Sequence, residues 1–288
     1  MESDDGPAPD VNAREAFALL GHEIRLDILL ALVEDWVAVY TEPKSYAELM
    51  DAVGVRDSGK FNYHLDKLRG VYVRKVDGGY VPTASATALY RAVLAHRPTE
   101  TFAFDSTAVE SACPACGSRP ILRYDRGFAS LDCKACSDWI GFTFPLPQRA
   151  FDGREPDSLL AVVDRRVRHH LGIASAGQCP DCAGGTSVDL RVEAVDDEHW
   201  IELDCDTCTF VAGIDVLSAM VTDDQVASAL REIGVDPRQY LWELPVGMTR
   251  LVSREPTRLA VDLEGATGEV TVVVDDRLAL ESVTVTDS

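Results

Sequence analysis

Apolar residues in the first hundred positions recur mainly at helical spacing. Asn12 with Glu15 three places on forms a capping box, and Ala13, Phe17 and Leu20 mark one face of a short helix that Gly21 interrupts. Ile24, Ile28, Leu29, Leu32 and Val33 predict a second helix over residues 22–35. Residues 36–40 form a short apolar run that reads as a strand. Ser45 and Glu48 then make a second capping box, starting a helix that runs to about Val53 and ends at Gly54. Residues 55–59 read as a tight turn, and residues 61–68 resume helical spacing before Gly70. Alternating segments on either side of Asp77, Gly78 and Gly79 predict a β-hairpin, and a final helix covers residues 85–96.

Beyond residue 98 the pattern changes to short alternating runs. Strands are predicted at residues 121–124, 128–132, 187–194 and 199–204, with amphipathic helices at 156–171 and 222–233. From about Arg250 the segments TRLAVDL, EVTVVVD and LALESVTV predict an antiparallel sheet of three or four strands that packs, in one arrangement, against the preceding elements. The fold class expected is α+β. Five segments follow: an acidic, disordered leader over 1–11, then 12–98, 99–172, 173–240 and 241–288.

Charge sharpens this division. The chain carries 48 acidic and 27 basic residues, a net charge of −21, with only 5 lysines but 30 aspartates. This is the surface expected of a halophile, where hydrated carboxylates maintain solubility although salt screens longer-range repulsion. Residues 1–98 are nearly balanced, with 11 basic and 15 acidic side chains, whereas the remainder has 16 and 33. Within residues 56–75 the balance reverses, to six basic against two acidic. The chain shows no run of apolar residues long enough for a membrane helix, and its acidic start is unlike a secretion signal, so a cytoplasmic location is expected.

That reversal coincides with a helix face. If Phe61, Leu65 and Leu68 point inward, then Gly59, Lys60, Asn62, Tyr63 and Lys67 point outward. Lys60 and Asn62 can donate to base edges, Tyr63 can touch bases or phosphate, and Lys67 and Arg69 suit phosphates. Arg56 and Ser58 in the preceding turn, and Arg74, Lys75 and Tyr80 on the hairpin, complete a candidate surface for double-stranded DNA.

The phrases LGHEIRLDILLAL, YAELMDAVGVRDSGKFNYHLDKL and VRKVDGGYVPT, in this order, resemble the ArsR-like winged helix-turn-helix regulators, particularly those of haloarchaea. The resemblance covers roughly residues 12–97. It implies that the helix over 61–68 reads an operator and that the flanking helices, here 12–20 and 85–97, make a homodimer. Metal-responsive members carry cysteines in or near the DNA-reading helix. This chain has none before Cys113, which argues against metal sensing by that local route. Residues after 98 resemble the uncharacterised C-terminal domain attached to many such regulators.

All eight cysteines fall in CxxC pairs. Cys113, Cys116, Cys133 and Cys136 have 16 residues between the pairs, and Cys179, Cys182, Cys205 and Cys208 have 22, the spacing of two zinc ribbons. A two-residue gap lets a tight knuckle aim both sulfurs at one ion, and Gly117 and the Ala183–Gly185 stretch supply the exits. Two Zn²⁺ ions are expected, with mononuclear iron the main metal alternative and disulfides disfavoured in a cytoplasmic chain. The two units, 66 residues apart from Cys113 to Cys179, read as a duplication. Closed four-thiolate coordination is structural, contributing folding energy on the order of 10 kcal/mol in model peptides. No nucleophile, base and orienting group stand together, so no enzyme is expected, and His169 and His170 in DRRVRHH read as solvated.

The function expected is a sequence-specific DNA-binding transcription regulator. Two alternatives stay open. The ribbons can form a metal- or redox-responsive switch, responding to an unknown effector, or the N-terminal region can be a docking module for the transcription machinery.

Overall fold

In the computed structural model, which describes residues 11–100, 102–136, 139, 141–192, 199–245 and 247–287, the chain divides into two units between Glu100 and Thr101. Apart from Val11, the expected leader lies outside the described residues. The molecule is a mixture of N-terminal helices and antiparallel sheets.

Unit 1 contains α1 (Ala13–Leu19), α2 (Glu23–Val33), α3 (Tyr46–Val53), α4 (Ser58–Leu68), β1 (Val73–Val76), β2 (Gly79–Pro82) and α5 (Ala84–His96). Both capping boxes form: Asn12 and Ser45 each accept from the backbone N–H three residues on, and Glu15 and Glu48 accept in return. Two expectations need correction. Residues 36–40 are not a strand; Ala38–Tyr40 is a 3-10 turn, because Ala38 takes a positive φ of 45° and the Val37 N–H donates to Thr41 Oγ1 at 2.7 Å. The antiparallel bridge to the hairpin is made instead by Lys44, opposite Tyr80. The turn before α4 is also shorter, since Asp57 caps the Lys60 N–H at 3.0 Å and draws Ser58 and Gly59 into the helix.

Ile28, Leu29 and Leu32 of α2, Leu49 of α3 and Phe61, Leu65 and Leu68 of α4 are buried together with Tyr72 and Val73. Each such side chain contributes about 1.5–3 kcal/mol by leaving water, and together they fix how α4 sits on α2 and α3. The hairpin approaches closely: a Cβ on Gly79 would lie 2.2 Å from the Lys44 carbonyl oxygen, so only glycine fits.

Among the described residues, unit 2 contains three antiparallel sheets. The first is β3 (Thr107–Ala108), β4 (Ile121–Asp125), β5 (Phe128–Asp132) and β6 (Phe142–Pro145), in that order. After α6 (Pro156–Ser175) comes β7 (Thr186–Val192), β8 (His199–Cys205) and β9 (Val211–Ile214). Then follow α7 (Val216–Met220), α8 (Asp224–Glu232) and a four-stranded meander of β10 (Met248–Arg254), β11 (Thr257–Glu264), β12 (Gly268–Asp275) and β13 (Leu280–Asp287).

The three segments read from the sequence as 99–172, 173–240 and 241–288 share one hydrophobic core. Leu122 and Leu131 of the first sheet, Leu159 and Leu160 of α6, Ile201 and Leu203 of the second sheet, Leu230 of α8 and Val272 of the meander all belong to it. The meander packs against α8, burying the alternate residues Val270, Val272 and Val274. The helices match the duplication only partly. The expected helix at 156–171 runs on to Ser175, and that at 222–233 forms as α8, whose start is set by the Asp223 side chain accepting from the Gln225 and Val226 N–H groups; α7 precedes it, outside the expected range. Among the described residues, no helix is long and apolar enough to cross a membrane.

Candidate metal centres and the exposed face of the fourth helix

The first CxxC knuckle of each cluster is built by backbone hydrogen bonds that the other cluster reproduces. Gly117 N–H donates to the Cys113 carbonyl at 2.8 Å, and Ala183 N–H to the Cys179 carbonyl at 2.9 Å. Cys113 N–H donates to the Ser118 carbonyl and Cys179 N–H to the Gly184 carbonyl, at 2.9 and 2.8 Å. Both knuckle exits take positive φ, 71° at Gly117 and 59° at Ala183. The likeness of the two units is therefore clearest in these first knuckles.

The sulfurs of Cys113, Cys116, Cys133 and Cys136 lie within 4.8 Å of one another, as do those of Cys179, Cys182, Cys205 and Cys208. Neighbouring pairs are closer, with Cys113–Cys136 at 3.7 Å, Cys116–Cys133 at 3.6 Å, Cys179–Cys208 at 3.6 Å and Cys182–Cys205 at 3.5 Å. A tetrahedral ion with metal–sulfur bonds of about 2.3 Å places sulfurs about 3.8 Å apart, so each cluster fits one metal ion. In each, the first cysteine is buried, the second exposed and the other two half-buried.

The surroundings favour the thiolate at Cys116 and Cys205, whereas burial and the neighbouring cysteines push Cys208 up to about 12 and the neighbouring cysteines and burial push Cys182 up. Backbone N–H groups of Ala135 and Gly184 donate to Cys133 and Cys182 sulfurs at 3.4 Å, and those of Thr207 and Cys208 to Cys205 at 3.3 Å. Hydrogen bonds from Ser118 pull the Cys116 thiol down to about 6, and those from the Cys208 and Thr207 backbone pull Cys205 down to about 7. The first cluster is anchored to the core through Ser111, which donates to Glu243 and accepts from Trp242 Nε1, while Ala112 N–H donates to the same carboxylate.

On unit 1, α4 buries Phe61, Leu65 and Leu68 and exposes Ser58, Gly59, Lys60, Asn62, Tyr63 and Lys67. The Lys67 ammonium lies 5.7 Å from the Tyr63 ring centre. Asn62 Nδ2 donates to Asp66 at 2.9 Å, and Arg69 pairs with Asp66 at 3.4 Å, so this acid organises two of the candidate residues. Arg56 and Arg74 are exposed, whereas Lys75 is half-buried. Tyr80 is also half-buried and packs against the unit 1 core, which makes it part of the hairpin's footing.

The sequence reading overlooked His64. It is buried on the core side of α4 and its ring lies 4.0 Å from that of His22, whose Nδ1 caps α2 by accepting from Ile24 N–H at 3.2 Å. Its position three residues after Phe61 was the available signal. Burial, then the charges of His22, Arg25 and Lys60, hold His64 below its ordinary value. His170 also departs from expectation: it packs edge-on against Phe144 and is half-buried, because α6 continues past it.

Two family models match the chain: residues 13–93 match a domain of unknown function (DUF7347), and residues 110–280 match another (DUF7351). Comparison with curated proteins and with solved structures gives no match.

Proposed function

The chain belongs to the DUF7351 family; we propose, from its N-terminal unit, that it is a sequence-specific DNA-binding transcription regulator and that this unit is a winged helix-turn-helix. The observation that carries this reading is the exposed face of α4. Lys60, Asn62, Tyr63 and Lys67 project from a short helix that is fixed by its buried side and follows α3 across a short turn. Lys60 and Asn62 donate to base edges and Tyr63 touches bases; Arg56, Ser58, Lys67 and Arg69 hold phosphates and set the register. The hairpin is the wing, contributing Arg74 and Lys75. In concentrated salt the gain from counterion release shrinks, so recognition leans on base edges and DNA shape.

The protein acts as a homodimer through α1 and α5. Phe17, Val93 and Leu94 are 64%, 49% and 40% exposed, and α5 buries only Ala86, leaving an apolar face of the kind that association covers. Each four-cysteine cluster holds Zn²⁺ as a structural cross-link between two knuckles, with no open coordination position for catalysis. The exposed Cys116 and Cys182 favour a second reading, in which oxidation or metal loss at these edges signals to the DNA-binding unit.

Mapping of bound sites across the native genome tests the regulator reading. It predicts discrete, reproducible sites with a shared sequence; uniform background occupancy would overturn it. Metal analysis of the purified protein is expected to find two zinc ions per chain, and a metal-free or iron-loaded protein would overturn the zinc assignment.

A further inference from the structure

The basic stretch over residues 164–170 has no part in either site described above, yet it lies on a built surface of unit 2. Asp164 on α6 accepts from Arg168 Nε at 3.1 and 3.0 Å and from the Leu241 N–H at 2.9 Å. Arg168 Nη2 donates to the Gln239 carbonyl at 2.5 Å. This clamp ties α6 to the loop after α8 and holds the Arg168 guanidinium in place, its side chain only 19% exposed.

Beside the clamp is a groove of about 450 Å³ lined by Arg165, Arg168, His169, Thr222, Arg238 and Tyr240, together with Asp164. The one carboxylate in this lining is already engaged by Arg168 and the Leu241 N–H. Arg238 is paired with Asp236 outside the groove at 3.1 Å, while Arg165 is exposed and has no ion-pair partner among the described residues. Three guanidiniums therefore line the groove with two hydroxyls and an imidazole, within residues 99–288, which carry 33 acidic side chains against 16 basic.

The geometry points to a binding site for a small polyanion, a phosphate- or carboxylate-bearing metabolite with at least two negative charges. A planar guanidinium fixed by neighbouring bonds presents its remaining donors to an oxyanion with little further ordering. The volume falls within the range of small-molecule sites. The surrounding acidic surface repels anions, and the cationic lining of this groove offsets that repulsion locally. Tyr240, stacked on Trp242 with ring centres 4.9 Å apart, gives the groove a rigid wall.

The test is calorimetric titration of the full-length protein in molar potassium chloride, without DNA, so its result does not depend on the DNA-binding reading. Inorganic pyrophosphate and citrate are the small probes, and a thymidine oligonucleotide forms a third arm. Saturable binding of pyrophosphate or citrate is expected, the preferred probe identifying phosphate or carboxylate chemistry. Arg165→Ala and the double variant Arg165→Ala/Arg238→Ala alter exposed side chains and are expected to retain the wild-type circular dichroism spectrum while weakening binding at least about tenfold, or about 1.4 kcal/mol. Absence of saturable binding by either small anion, equal affinity in the double variant, or binding of the oligonucleotide alone would overturn the assignment.

Discussion

Phe61 and Tyr63 lie two residues apart on α4 but face opposite environments, and their removal separates folding from recognition. Phe61 is fully buried and meets the Tyr46 ring edge-on at a centroid distance of 5.1 Å. Phe61→Ala loses the transfer energy of a buried aromatic ring, leaves a cavity and removes the ring pair, for a total of about 3–5 kcal/mol. A domain of this size has total stability on the order of 5–15 kcal/mol, so the variant is left marginal. Tyr63 is 60% exposed; Tyr63→Ala should change stability by less than about 0.5 kcal/mol, as is usual for surface substitutions. Differential scanning calorimetry of the full chain reads both, because the two units have separate cores. Phe61→Ala should lower the unit 1 transition by at least about 12 °C at this domain size and leave the unit 2 transition in place. A loss under about 1 kcal/mol, or an equal shift of both transitions, would refute this account of how α4 is held.

Three further outcomes follow. His64 is held neutral by burial and by neighbouring positive groups, so the unfolded chain takes up its proton first as pH falls; the stability it contributes is complete above its unfolded value of about 6.5 and declines below that. Urea denaturation of His64→Gln should therefore show a shallower loss of unit 1 stability on acidification than wild type, and parallel profiles would count against the buried imidazole. Gly117→Ala places a side chain on a left-handed residue with open space around it, so its cost is backbone strain of about 1 kcal/mol, whereas Ala183→Gly relieves the same strain at the equivalent knuckle. The two should shift the unit 2 midpoint differently, the first downward, and a rise for Gly117→Ala would contradict the shared knuckle geometry. Removing metal with a strong chelator should lower the unit 2 transition substantially and leave unit 1 unchanged, since all eight cysteines lie in unit 2; insensitivity of unit 2 would show that its core folds without the clusters.

Local signals in the sequence were the most legible. Capping boxes at Asn12 and Ser45 and the CxxC spacings each depend on residues a few positions apart, and the structure places them as their chemistry requires. The run at 36–40 misled because short apolar segments satisfy strand and turn patterns alike, and the bridge that decides the matter forms between Lys44 and Tyr80. Long-range relations were hidden. Nothing in the spacing of 99–172, 173–240 and 241–288 shows that their apolar faces share one core, nor that Arg165 and Arg238, 73 positions apart by residue number, line one groove. His64 was legible in principle, at i+3 from Phe61, but a histidine on an apolar face gains its meaning only from the His22 ring beside it.

The central claim is that the outward face of α4 reads DNA sequence. Its most direct test is the affinity of wild type, Asn62→Ala and Tyr63→Ala for a mapped site and for a scrambled duplex, measured at the same high salt. Each substitution should cost specific binding about 1–3 kcal/mol and leave binding to the scrambled duplex nearly unchanged. Equal losses on both duplexes, or no affinity of the wild-type protein for either, would contradict the claim.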